Sequence, residues 1–197
     1  QDSVYEIGSL TKVFTSYFLS TSVSNNIIGL NDSVFKYLEF NLPKSITFKQ
    51  LSNHTSGLPR LPSNLVKNNF LDPYASYTEE LFISYFESID TLNSDPGKKM
   101  SYSNIGAALL GYSVGKISKM SFEDMLKQNV CNPLDMNSTT TNRSVIAATI
   151  NDEVVYLISS IEFTIDSTDA SNAITGFDVV KKGLTMINTL AATNGVT

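Results

Sequence analysis

Residues 6–16, Glu6-Ile7-Gly8-Ser9-Leu10-Thr11-Lys12-Val13-Phe14-Thr15-Ser16, decide how the rest of this chain is read. From Leu10 the apolar residues Leu10, Val13, Phe14, Tyr17 and Phe18 recur at i, i+3, i+4, i+7 and i+8. That spacing predicts a helix, amphipathic or buried, ending near Asn25-Asn26 or Gly29. Ser9 stands at its start, and residues three apart on a helix share a face, so Lys12 can reach the Ser9 hydroxyl. Unpaired N–H groups and the helix dipole favour negative charge at that end. A lysine in a water-poor site beside other cations can act as a base. Together these meet the requirements of a serine that forms an acyl-enzyme.

The bare S-x-x-K spacing is common, however. Ser33-Val34-Phe35-Lys36 and Ser113-Val114-Gly115-Lys116 match it as well. Only Ser9 follows a glycine and opens a strongly apolar helix. Downstream, Tyr102-Ser103-Asn104 is the sole Y-x-N in the chain. A tyrosine phenol near a lysine can serve as general base, and an asparagine amide can hold a substrate carbonyl. Taken alone, that tripeptide also reads as a turn at a helix start with a packed tyrosine.

Composition removes several alternatives. A net charge of −5 with no cluster of Lys or Arg argues against a nucleic-acid partner. No run approaches the ~18–20 apolar residues that cross a bilayer, and no signal-peptide pattern opens the sequence. Cys131 is the only cysteine, so it reads as a small buried hydrophobe. His54 is the only histidine, which speaks against a His-based zinc site. No cofactor or metal is expected. Four N-x-S/T sites, at Asn31, Asn53, Asn137 and Asn142, are near the frequency expected in a chain rich in Asn, Ser and Thr.

Further along, Thr47 with Gln50 has capping-box spacing and opens a short helix that stops before Gly57-Leu58-Pro59. Thr78-Glu79-Glu80 caps a helix reaching about Ile89. Pro96-Gly97 marks a turn. A helix follows from about Asn104 to Ile117, and Ser121 with Asp124 caps another that Pro133 ends. Beyond about Thr141, "EVVYLISSIEFTID" reads as one or two strands and "FDVVKKGLTMINTL" as a helix.

Three stretches occur in one order with matching spacing: "YEIGSLTKVFTS", "ITFKQLSNHTSGLP" and "PGKKMSYSNIGAALLGYSVGKISKMSFEDMLKQNVCNPLDM". Over about residues 4–141 they resemble the serine β-lactamase-related family of class C β-lactamases, DD-peptidases (penicillin-binding proteins) and esterases. The resemblance implies an α/β, β-lactamase/DD-peptidase-like fold in which the helical subdomain dominates and little of the antiparallel sheet is present. It implies Ser9 as nucleophile, Lys12 as its activating partner, Tyr102 as general acid/base and Asn104 as the residue orienting a small-molecule or peptide substrate. The Ser9 backbone N–H would supply one oxyanion donor. His54 falls on a loop landmark of the family and reads as a structural hydrogen-bonding residue.

Departures from the pattern set further expectations. The family's strands ahead of the nucleophile and its Lys-Thr-Gly or His-x-Gly strand have no convincing counterpart. The one downstream K-x-G, Lys181-Lys182-Gly183, has a lysine in the wrong place. Asp135 stands where the family usually has Gly, a mild change because Asp tolerates left-handed backbone. The chain is therefore expected to be incomplete, with a family domain over 1–141 and an unassigned segment over 142–197, strand then helix. Two readings stay open: a serine hydrolase acting on a β-lactam, a D-Ala-type peptide or a small ester, and a non-catalytic member that binds or is inert. Family members are often secreted or periplasmic; compartment and oligomeric state are not legible here.

Overall fold

The structure, a computed structural model, describes residues 4–40, 45–66, 74, 76–141 and 155–157, all within one compact unit, Gln1–Phe163. The calls on Lys181–Gly183 and on a helix near 177–190 lie outside the described residues. So does "EVVYLISSIEFTID", apart from a strand at Val155–Leu157. Among the described residues helices dominate, and α4 (Asn104–Ser118) is the axis. Against it pack α1 (Thr11–Ser24) and α2 (Phe48–Ser52). α3 (Glu79–Ser88) and α5 (Phe122–Leu126) complete the set.

The helix ends follow local chemistry. The Thr47 hydroxyl accepts from Gln50 N–H at 3.3 Å while the Gln50 side chain accepts from Thr47 N–H at 3.0 Å, so the capping box is complete. Thr78, Ser103 and Ser121 cap α3, α4 and α5 through hydroxyls that accept from Leu81, Gly106 and Asp124 N–H groups. After α5 the chain winds as a π-helical turn over Lys127–Cys131 and a 3-10 turn over Asn132–Leu134, where Pro133 stops it. Asp135 then takes φ +54°, the left-handed conformation for which glycine is the easier residue.

One expectation needs correcting in detail. The face α1 turns fully inward is Thr11, Thr15, Phe18 and Leu19, while Leu10, Val13, Phe14 and Tyr17 are half-buried. The two threonines tolerate this because the Thr11 hydroxyl donates to Gly8 O at 2.7 Å and that of Thr15 to Thr11 O at 3.4 Å. The main core lies around α2, α3 and α4, where Phe48, Leu51, Leu58, Phe86, Ile105 and Leu109 are all at most 1% exposed. Each such side chain contributes about 1.5–3 kcal/mol relative to exposure. Phe82 and Phe86 meet edge to face at 4.9 Å, and Phe40 stacks on Phe86 at 5.6 Å.

Three short strands form a parallel sheet in the order β1-β3-β2. β1 (Val4–Glu6) pairs with β3 (Val155–Leu157), Tyr5 opposite Tyr156, and β2 (Thr139–Thr140) pairs with β3 on its other side. β1 corrects the expectation that no strand precedes Ser9, and β2 likewise lies outside the sequence reading, since two or three residues carry no periodicity. β2 is tied to α5: Glu123 accepts from Thr140 Oγ1 at 2.9 Å and Thr141 N–H at 2.6 Å, and Lys127 Nζ donates to Thr139 O.

The loop leaving α2 is fixed at a glycine. Gly57 has φ +80°, and a Cβ there would lie 2.1 Å from the Ser94 carbonyl oxygen. Its own carbonyl accepts from Asn93 N–H at 2.8 Å. Replacing Gly57 with Ala is therefore expected to destabilise the fold by more than the ~1–3 kcal/mol of backbone strain alone, read as a drop in thermal midpoint. An unchanged midpoint would show that the 92–97 segment is free to move away.

Candidate active site

β1 delivers the chain to Ser9 through Ile7 and Gly8, the latter at φ +49°. Ser9 sits in a 3-10 turn, Gly8–Leu10, that runs directly into α1. One turn on, Lys12 Nζ donates to Ser9 Oγ at 3.2 Å. Across 93 residues of sequence, Ser9 Oγ and Tyr102 Oη lie 2.8 Å apart. Lys12 Nζ is 5.0 Å from the centroid of the Tyr102 ring. The hydroxyl, amine and phenol proposed from the sequence thus meet in one place, each part-buried.

The other two S-x-x-K matches are used structurally. The Ser33 side chain caps a 3-10 turn, Val34–Tyr37, and Lys36 pairs with Asp32 at 3.2 Å. Ser113 is fully buried with its hydroxyl donating to Leu109 O at 2.7 Å, and Lys116 pairs with Glu79 at 3.0 Å.

Tyr102 is held by the 54–60 segment. His54 O accepts from Ser101 N–H at 2.8 Å, and His54 Nδ1 accepts from Ser103 N–H at 3.2 Å. The two rings lie 4.7 Å apart at 42°. The Ser103 hydroxyl donates to Pro59 O at 2.6 Å, and Arg60 O accepts from Asn104 N–H at 3.0 Å. Asn104 opens α4 and is 1% exposed. The Arg60 guanidinium stands 5.8 Å over the Tyr102 ring on the exposed side. Sequence reasoning singled out His54 as structural but could not place its ring on Tyr102. It missed Arg60 altogether, since nothing in the residues around position 60 marks an arginine there.

A cavity of about 20 Å³ lies beside Lys12, lined also by Thr15, Leu51, His54, Ala107 and Leu110. It is about the size of one water. The larger groove of about 580 Å³ runs elsewhere, past Phe82, Tyr112, Lys116 and Phe122, and does not include Ser9. No group of His, Cys, Asp and Glu suited to a metal ion occurs among the described residues. Cys131 is 1% exposed, and burial raises its thiol above the ordinary range.

Burial, reinforced by the nearby Lys12 charge, holds His54 below its usual value of 6.5. Below that value an unfolded chain takes up a proton that the folded chain refuses, so stability falls as pH drops from 6.5 toward the folded pKa and then levels. Asp32 and Glu79, lowered by hydrogen bonds to Gly29 N–H and to Lys116, lose their contribution as pH falls through and below the ordinary carboxylate range, beneath most of this window. Denaturant titrations between pH 7 and 5 are expected to show this loss in the natural chain and not in His54→Asn. Equal slopes for both proteins would remove His54 as the source.

A family model described as Beta-lactamase matches residues 1–154. Beta-lactamase-like protein 2 of Dictyostelium discoideum is 32% identical over 144 residues, 68% of this chain and 26% of that protein. Penicillin-binding protein 4* of Bacillus subtilis is 31% identical over 146 residues, 70% of this chain and 30% of its own length. The chain thus spans under a third of either relative. Among solved structures, the octameric penicillin-binding protein homologue from Pyrococcus abyssi aligns over 78% of this chain and 36% of its own, at 26% identity and a TM-score of 0.65.

Proposed function

This chain belongs to the β-lactamase family, and on that premise we propose that it is a serine hydrolase working through an acyl-Ser9 intermediate. The observation that carries the reading is the Ser9 hydroxyl between Tyr102 Oη at 2.8 Å and Lys12 Nζ at 3.2 Å. Ser9 Oγ attacks the carbonyl carbon of an amide or ester while its proton passes to the Tyr102 oxygen, as the phenol's own proton moves toward the leaving nitrogen or oxygen. The oxyanion so formed is met by the Ser9 backbone N–H, a type of donor worth about 10²–10³ in rate. Tyr102 hands the proton to the departing nitrogen or oxygen, which leaves with the bonding electrons and leaves the acyl group on Ser9. In the second half Tyr102 takes a proton from water, the hydroxide displaces Ser9 Oγ, and the serine proton is restored.

Lys12 keeps its hydrogen bond to the serine oxygen through both halves, its positive charge offsetting the charge that builds there. Asn104, at the first turn of α4, orients the substrate carbonyl. For substrate we propose a β-lactam, a D-Ala-type peptide or a small ester. The name of the Bacillus relative supports penicillin as the first compound to try. A non-catalytic family member remains the competing reading, because no convincing Lys/His-x-Gly segment follows Tyr102 in the sequence.

A fluorescent penicillin or fluorophosphonate is expected to label the natural chain covalently at Ser9 and to leave Ser9→Ala unlabelled. Tyr102→Phe, which keeps the ring and removes the proton carrier, is expected to slow labelling by about 10²–10⁴. Folded natural protein that takes up neither probe would overturn the enzyme reading in favour of the non-catalytic one.

A further inference from the structure

The catalytic reading uses Ser9, Lys12, Tyr102 and Asn104, and leaves the chain's only histidine without a task beyond structure. We propose that His54 is a positioning residue for Tyr102, gripping the backbone on both sides of the tyrosine and bracing its ring so that the phenol oxygen stays on Ser9. The inference rests on the proposal that Tyr102 carries the proton of Ser9.

Two independent contacts define the grip. The N–H before Tyr102, that of Ser101, donates to the His54 carbonyl, and the N–H after it, that of Ser103, donates to His54 Nδ1. Tyr102 is thereby bracketed by one residue 48 positions upstream. The His54 ring lies against the phenol ring at 4.7 Å, on one side, with the Arg60 guanidinium over the same ring at 5.8 Å. His54 also lines the small cavity beside Lys12. It therefore touches the surroundings of both partners of the serine without reaching Ser9 itself.

The geometry dictates which residues could replace it. An accepting Nδ1 requires a neutral ring with its proton on Nε2. Burial and the Lys12 charge both favour that neutral form. The backbone of His54 is left-handed at φ +59°, a region that Asn, Asp, His and Gly enter most readily. Asparagine alone keeps a neutral acceptor attached to Cγ together with that preference. Phenylalanine keeps the ring but offers Ser103 N–H nothing. A shift of about 1 Å in a reacting group can cost on the order of 10²-fold in rate, so a loosened Tyr102 is expected to show in chemistry before binding.

The experiment compares the natural chain with His54→Asn, His54→Phe and His54→Ala, using fluorescent penicillin for acylation and amide NMR for structure. His54→Asn is expected to acylate within about threefold of the natural chain, whereas His54→Phe and His54→Ala fall by about 10–100-fold with half-saturating penicillin concentration nearly unchanged. The Ser103 amide is expected to resist hydrogen exchange in the natural chain and in His54→Asn and to exchange freely in His54→Phe. Circular dichroism identifies any variant that fails to fold, and the His54→Asn rescue then decides the matter. A folded His54→Phe that acylates at the natural rate overturns the inference. Should the natural chain react with neither penicillin nor the fluorophosphonate, the enzyme reading falls separately. The grip on Tyr102 is then judged by exchange alone, and a Ser103 amide indifferent to His54→Phe overturns it.

Discussion

The structure depends on holding residue 102 against residue 9. Ser9 comes from the turn after β1, and Tyr102 from the extended residues before α4. Their oxygens meet at 2.8 Å because α1 packs on α4 and because the loop after α2 fixes where α4 begins. That loop contributes three backbone carbonyls, of His54, Pro59 and Arg60, which take up Ser101 N–H, the Ser103 hydroxyl and Asn104 N–H, and one side chain, His54, whose Nδ1 takes up Ser103 N–H. Backbone acceptors cannot rotate away as side chains can, so three of these four bonds tie the start of α4 to the path of the loop itself. Gly57 in turn fixes the loop, since its missing Cβ lets the Ser94 carbonyl approach.

Helices and caps were legible because each is a local event. Thr47, Thr78, Ser103 and Ser121 stand one residue ahead of the helices they cap, and Asp135 adopts the left-handed backbone its family counterpart needs a glycine for. The inward face of α1 was less legible. Apolar spacing marks Leu10, Val13, Phe14, Tyr17 and Phe18, of which Phe18 alone is fully buried, and the hydroxyl bonds of Thr11 and Thr15 let these threonines lie as deep. Of the short parallel strands, β3 lies in the β-branched stretch that reads as strand, whereas β1 and β2 left no local trace, being two or three residues long, and β1 pairs about 150 positions away.

The reactive cluster was legible by a different route. Ser9 and Lys12 are neighbours on a helix, so their contact follows from spacing; nothing local links either to Tyr102. Only the order of three motifs pointed there. Physical context then separates Ser9 from its two lookalikes: Lys36 and Lys116 are each engaged by a carboxylate, and Ser113 by a helix carbonyl. Arg60 had no such signature, although its guanidinium stands 5.8 Å over the Tyr102 ring.

One buried atom gives the molecule a built-in gauge. The sulfur of Cys131 belongs to the chain's sole thiol, lies 1% exposed in the turn after α5 and is pushed away from thiolate by its surroundings. A thiol-specific reagent reaches it only when that part of the protein opens, so the speed of modification counts opening events rather than surface collisions. A single chromophoric disulfide reagent would thus report how often the packing behind α5 comes apart, with no label added beforehand and no residue of the reactive cluster altered.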